Sequence, residues 1–224
     1  MTIYVEKKQI DYIESLLAKQ LNKLNREDKE IDREDKEIVA LFLKDKIFDV
    51  ALKNFLKKQK YLFSINVGER TWYSHFIDEV NKQKKKFKFL KEYFTDAEYN
   101  RQQDGQIKVI LDQTTPNSER KINICCDVIL HGRGKCGPIE NILSVEFKKE
   151  SNTQDEKDKD KIRLRALTAT PYDNVFPAGG TVFPETVCGY FLGCYVEINC
   201  QNLDVIVEYY INGKLQNDWC YALK

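Results

Sequence analysis

No apolar run in these 224 residues approaches the length of about 18 that a membrane-spanning helix needs, and the opening MTIYVEKKQIDY has no apolar centre of the kind a signal peptide carries. Both absences point to a cytoplasmic protein without a membrane partner. An excess of one charge is missing too, since 36 Lys and Arg stand against 35 Asp and Glu. The net charge of +1 creates no global field toward nucleic acid or an anionic membrane, so any site for a polyanion has to be local. The seven cysteines include no CxxC pair. Cys188, Cys194 and Cys200 recur every six residues, which would put them on one face of a long strand; the expectation is buried, reduced thiols rather than zinc ligands or disulfides.

What is present divides the chain into a helical first part and a mixed remainder. Residues 1–60 contain no proline, and Ile10, Ile13, Leu16, Leu17, Leu21 and Leu24 recur at helical spacing, predicting helix throughout. The string REDKEI occurs at residues 26–31 and again at 33–38. A one-heptad duplication lengthens a charged helix without turning its apolar stripe far, and such a helix presents either a solvated face or a surface for a protein partner or a second copy. Residues 39–56 predict one or two further helices packed on the first. After Asn66-Val67-Gly68, the four-residue spacing of Trp72, Phe76 and Val80 predicts a helix over residues 68–82. Glu69 sits in its first turn, where a carboxylate favours the helix dipole. The lysine-rich run over residues 82–91 reads as a solvated helix end or a basic edge facing phosphate.

Beyond Tyr93 the period falls to two. Strands are expected over residues 93–100, 107–111, 122–131 and 141–149, with a polar loop at 112–120 and the turn-rich GRGKCGP before the last. Residues 150–161 carry almost no apolar side chain and read as a mobile loop running into a helix through Ile162, Leu164 and Leu167 to Thr168. A loop with three prolines over residues 171–184 leads to strands at 187–199, 205–211 and 215–221, and Asn212-Gly213 is a two-residue hairpin turn. The class is α/β with a mixed central sheet and an N-terminal helical extension.

One stretch is chemically unusual. In NILSVEFKK, residues 141–149, alternation puts Leu143, Val145 and Phe147 on one face and Ser144, Glu146 and Lys148 on the other. Two charges are thereby set inside an apolar strand. The upstream run DVILH, residues 127–131, opens with a carboxylate, and pairing of the two runs brings Asp127 toward Glu146. Holding two carboxylates and an ammonium there costs several kcal/mol unless a divalent cation compensates. Glu-x-Lys also occurs at Glu6/Lys8, Glu27/Lys29, Glu34/Lys36 and Glu119/Lys121, always in polar surroundings. Only Glu146/Lys148 follows an Asp-led apolar strand and precedes a helix.

In this arrangement residues 68–199 resemble the PD-(D/E)xK nuclease superfamily, in an uncharacterised bacterial and phage-associated group. ERTWYSHFIDEV, DAEYNR, CDVILHGR, NILSVEFKK and DKIRLRALT follow one another as in that group. The departure is Cys126, where the motif often has proline before the aspartate; that position shapes backbone and binds no metal. The resemblance implies a restriction-endonuclease-like core of order αβββαβ over residues 67–224, behind a helical extension over 1–66. It implies that Asp127, Glu146 and the Phe147 carbonyl bind Mg²⁺ or Mn²⁺, with Glu69 completing the metal shell. Lys148 would orient or help deprotonate the attacking water. The reaction would be phosphodiester hydrolysis, with DNA as the expected partner. Tyr99, Asn100, Arg101, His131 and Arg133 are candidate substrate-binding groups, since Arg and Asn forks suit phosphate; Asp160 and Arg163 are weaker candidates. Two other classes stand beside it: a binding or regulatory module that keeps the fold without turnover, and an assembly protein joined through the N-terminal helices.

Overall fold

The buried stripe that begins at Val39 organises the first layer. The computed structural model describes residues 7–8, 10–16, 33–99, 109–112, 120–123, 125–136, 139–169, 175–177 and 188–223. Helix α1 covers residues 10–16, and α2 (Arg33–Phe42) carries the second REDKEI string; the first lies outside the described residues. A π-helical turn, Leu43–Phe48, joins α2 directly to α3 (Asp49–Lys58). Just after that turn Asp49 accepts from the Tyr209 hydroxyl, from the Tyr221 hydroxyl at 3.1 Å and from the Lys44 ammonium at 3.1 Å, tying the helices to the C-terminal strands. A short helix, α4 (Lys60–Ser64), precedes α5 (Glu69–Lys84), which buries Trp72, Tyr73, Phe76 and Val80.

Among the described residues the main sheet has seven strands. In spatial order they are β1 (Phe94–Ala97), β4 (Val128–His131), β5 (Asn141–Lys149), β7 (Leu192–Ile198), β8 (Val205–Ile211) and β10 (Tyr221–Leu223), with β9 (Lys214–Leu215) also on β8. Among the described residues only the β5–β7 pair is parallel, because α6 (Gln154–Thr168) intervenes and carries the chain back across the sheet. Three more strands, β2 (Val109–Asp112), β3 (Arg120–Asn123) and β6 (Val175–Pro177), form a separate antiparallel sheet in the order β3-β2-β6. From α5 onward the helices and main-sheet strands thus follow as α5, β1, β4, β5, α6, β7.

Two unlike layers cover the sheet. On one face Leu143, Val145 and Phe147 join a single core with Ile13, Val39, Phe48, Phe55 and Phe76, so the N-terminal helices and the sheet share one hydrophobic interior. Phe147 is its centre, with the rings of Phe55, Trp72, Tyr73 and Phe76 at 5.0–6.5 Å between centroids. On the other face α6 lays Leu164 against Tyr195 and Tyr210, and Ala166 and Leu167 against Ile129.

Several elements depart from the sequence expectation. Helix α6 begins at Gln154, so most of the polar stretch expected as loop is helical: Thr153 and Glu156 form a reciprocal capping box that satisfies its first N–H groups. The expected strand at 122–131 is two, β3 in the small sheet and β4 in the main one. The expected strand at 93–100 ends at Ala97, where Glu98 takes a positive φ of 48°. The strand placed at 187–199 is the shorter β7, and the one at 215–221 is divided by a 3-10 turn, Asn217–Trp219. Residue 212 and Gly213 take φ of 51° and 72°, the paired positive values of a type I′ hairpin. The cysteine triplet does not lie in one strand: Cys194, within β7, joins the main core and Cys200, beyond its end, packs against that core, while Cys188 packs under α6. All seven thiols are free. No helix among the described residues is long and apolar enough to cross a membrane.

Candidate active site where two strands part

Strands β4 and β5 pair from His131 to Val128, which faces Val145, and there the ladder ends. Phe147 N–H would next seek a backbone acceptor on β4. It donates instead to the Asp127 carboxylate, Oδ2 at 2.7 Å, while the Asp127 carbonyl accepts from Glu98 N–H at 3.2 Å. A strand residue directs its N–H and carbonyl to the same edge, so the Phe147 carbonyl leaves toward Asp127 as well.

Glu146 lies on the α6 face of β5 and is 1% exposed. Its carboxylate is met by the Arg163 guanidinium at 2.5 Å and by the Cys126 thiol. Arg163 also reaches Asp160, one turn earlier in α6, at 3.0 Å. Asp160 in turn holds the Lys148 ammonium at 2.9 Å. From the other face, α5 contributes Glu69, whose carboxylate accepts from Lys149 N–H at 2.9 Å and lies 3.9 Å from the Lys148 ammonium. Its neighbour one turn on, Tyr73, gives its hydroxyl to Asp127. Asp127, Glu146, Lys148 and Glu69 therefore meet at one end of β5.

The charges do not balance. Asp127, Glu146, Asp160 and Glu69 stand against Lys148 and Arg163, a formal excess of two negative charges when all are ionised. Burial is the first influence on Asp127 and lifts its carboxyl; Tyr73 and the Phe147 N–H pull it down, Asp160 lifts it, and it comes to about 6. Burial and then the Asp127 charge push Glu146 well above the usual carboxylate range, with Arg163 opposing. Burial works to lower Lys148, but its bond to Asp160 and the charges of Asp160, Glu69 and Asp127 outweigh it and hold the ammonium protonated.

Among the described residues no group of three or more His, Cys, Asp or Glu side chains is spaced to hold a metal ion. The donor set to weigh is smaller: the Asp127 and Glu146 carboxylates with the Phe147 carbonyl. Mg²⁺ is bound through one or two carboxylates with its remaining positions filled by water, so hard oxygens of this kind fit it.

The expected substrate groups engage a different carboxylate, Asp96. His131 is four positions from Asp127 along the chain, about 13 Å in an extended strand. It is buried, with Nε2 2.8 Å from Asp96. Arg133 grips the same carboxylate through Nε at 2.7 Å and through Nη2, and its guanidinium stacks 4.3 Å above the Phe94 ring. Tyr99 packs on His131 with ring centroids 4.7 Å apart. His131 and Arg133 thus share Asp96, while Tyr99 also packs against the cluster of Cys126, whose thiol meets Glu146. Asn100 and Arg101 lie outside the described residues.

No family model, curated protein or solved structure matches this chain. The chemistry therefore rests on the geometry. Sequence reasoning missed Tyr73, although it stands one helical turn from Glu69, and gave little weight to Asp160 and Arg163, which turn out to touch Lys148 and Glu146 directly.

Proposed function

We propose that this protein is a metal-dependent phosphodiester hydrolase on a restriction-endonuclease-like core, acting on nucleic acid, with DNA the expected substrate. One observation carries the reading: Asp127 before β4, Glu146 and Lys148 on β5 and Glu69 on α5 converge where β4 and β5 part, with a surplus of negative charge. The element order from α5 to β7, α-β-β-β-α-β within the main sheet, supports it.

Asp127, Glu146 and the Phe147 carbonyl would hold Mg²⁺ or Mn²⁺, which supplies neutralisation of phosphate charge and a more acidic water. Lys148, held protonated, offers a phosphate oxygen a positive charge and orients water by donating to it. It does not serve as the base in this state. Glu69, anchored by the Lys149 N–H, adds a negative charge 3.9 Å from the Lys148 ammonium, and Tyr73 keeps the Asp127 carboxylate turned toward the Phe147 backbone.

The test is hydrolysis of labelled single- and double-stranded DNA and RNA with Mg²⁺ or Mn²⁺, next to Glu146→Ala. Cleavage that requires the cation and vanishes in the variant supports the proposal. Equal cleavage by both proteins, or none on any substrate, opposes it. The second reading, a nuclease-fold binding module without turnover, draws on a specific observation too: Glu146 and Lys148 are already engaged by Arg163 and Asp160. Retention of nucleic acid without hydrolysis would favour it.

A further inference from the structure

Arg163 is placed oddly for a residue whose only task is to pack. Its Nη1 lies against Glu146 at 2.5 Å and against Asp160 at 3.0 Å, so one nitrogen serves two carboxylates while the buried Nε has no hydrogen-bond partner. A guanidinium at a structural carboxylate normally commits two nitrogens in a fork. Arg133 does so at Asp96, through Nε and Nη2. Arg163 is thus bridged between a carboxylate on β5 and one on its own helix, and it has a second place to go. Asp160 sits three residues before it on the same face of α6 and also holds Lys148.

We infer that Arg163 is the site's internal counter-cation, standing at Glu146 where a divalent cation would stand, and that Asp160 receives it when such a cation binds. This rests on the proposed metal site and adds a residue to it. Without a cation, Glu146 is buried beside Asp127, and Arg163 offsets a charge that would otherwise be isolated. A divalent cation at Asp127 and Glu146 competes with Arg163 for the same carboxylate oxygens. It displaces the guanidinium by a small rotation toward Asp160, with no break in the helix. Binding of the cation and the Arg163–Glu146 contact are then mutually weakening, and by linkage each costs the other the same factor.

The experiment is Mn²⁺ binding by isothermal titration calorimetry on the full chain, with thermal melts of the same proteins, comparing wild type, Arg163→Gln, Lys148→Gln and Arg163→Gln/Glu146→Gln. Arg163→Gln is expected to melt lower than wild type without metal, to bind Mn²⁺ about tenfold more tightly and to show the larger Mn²⁺-induced rise in melting temperature. Lys148→Gln removes the same unit charge from the same site without freeing Glu146, so its gain in affinity should be several-fold smaller. The double variant should recover the metal-free melting temperature and bind no Mn²⁺. If wild type and Arg163→Gln bind Mn²⁺ equally, or Lys148→Gln gains as much, Arg163 is a structural contact and the inference is overturned. If wild type itself binds none while every variant is folded, the metal reading has failed instead. Should Arg163→Gln not fold alone, its refolding by Mn²⁺ but not by an equal concentration of K⁺ would support the exchange, and the absence of such rescue would overturn it.

Discussion

Two half-buried carboxylates on neighbouring strands, Asp96 on β1 opposite Ile129 and Asp127 two residues before Ile129, have opposite electrostatic fates. Burial acts first on both and disfavours their charge. At Asp96 the hydrogen bonds from His131 and Arg133 overcome it and hold the carboxyl well below its ordinary range. At Asp127 the compensating donors are a hydroxyl and one backbone N–H, and further carboxylates stand nearby, so its pKa comes to about 6. A structural ion pair is neutralised from within the fold. The proposed cation site is left short of positive charge, and the difference separates the two groups without reference to any relative.

The largest expected break in this comparison comes from alanine at each position. Asp96→Ala strands the His131–Arg133 pair and should cost roughly 3 kcal/mol, the low end for breaking a buried pair because Arg133 is partly exposed. Asp127→Ala in metal-free buffer should cost nothing or stabilise slightly, since it removes a repelled charge. Urea unfolding of both variants measures this, and equal losses would erase the distinction.

The pH dependence should carry opposite signs. Asp127 has a folded pKa of about 6, above the unfolded value of about 3.9, so its contribution is full below about pH 4 and is lost as the pH rises through 6. Asp96 is depressed, so its contribution is present above about pH 4 and is lost as the pH falls below that. Unfolding free energies measured from pH 3 to 8 should therefore lose their decline between about pH 4 and 6 in Asp127→Asn. They should lose part of their acid limb in Asp96→Asn. A smaller effect is expected at the cap of α6: Thr153→Ala should cost about 1 kcal/mol. It should loosen Asp160 and Arg163 while leaving the Asp96 group untouched, which a shift in their NMR signals would record.

The comparison also marks what the sequence could tell. Asp127, Glu146 and Lys148 were legible because charges inside a period-two apolar pattern stand out locally. The strand β5 and the helix α5 were legible for the same reason, their apolar positions having one clear period. The bonds of His131 and Arg133 to Asp96 were not legible, because Asp96 lies 35 and 37 residues away and no local pattern announces such a pairing. Helix α6 was half hidden because its first turns are almost wholly charged, so composition suggested loop. The capping pattern at Thr153 and Glu156 was the signal that outweighed it. The division of residues 122–131 between two sheets was not readable from an uninterrupted strand-like run, since it depends on which neighbour each half finds.

The most direct test of the account is a calorimetric titration of wild type and Asp127→Asn with Mn²⁺ at pH 7.5, in low salt. The account predicts one ion per chain for wild type and no binding by the variant, while Asp96→Asn, if folded, binds as wild type does. Equal binding by wild type and Asp127→Asn, or no binding by either, would contradict the claim that the parting of β4 and β5 is a cation site.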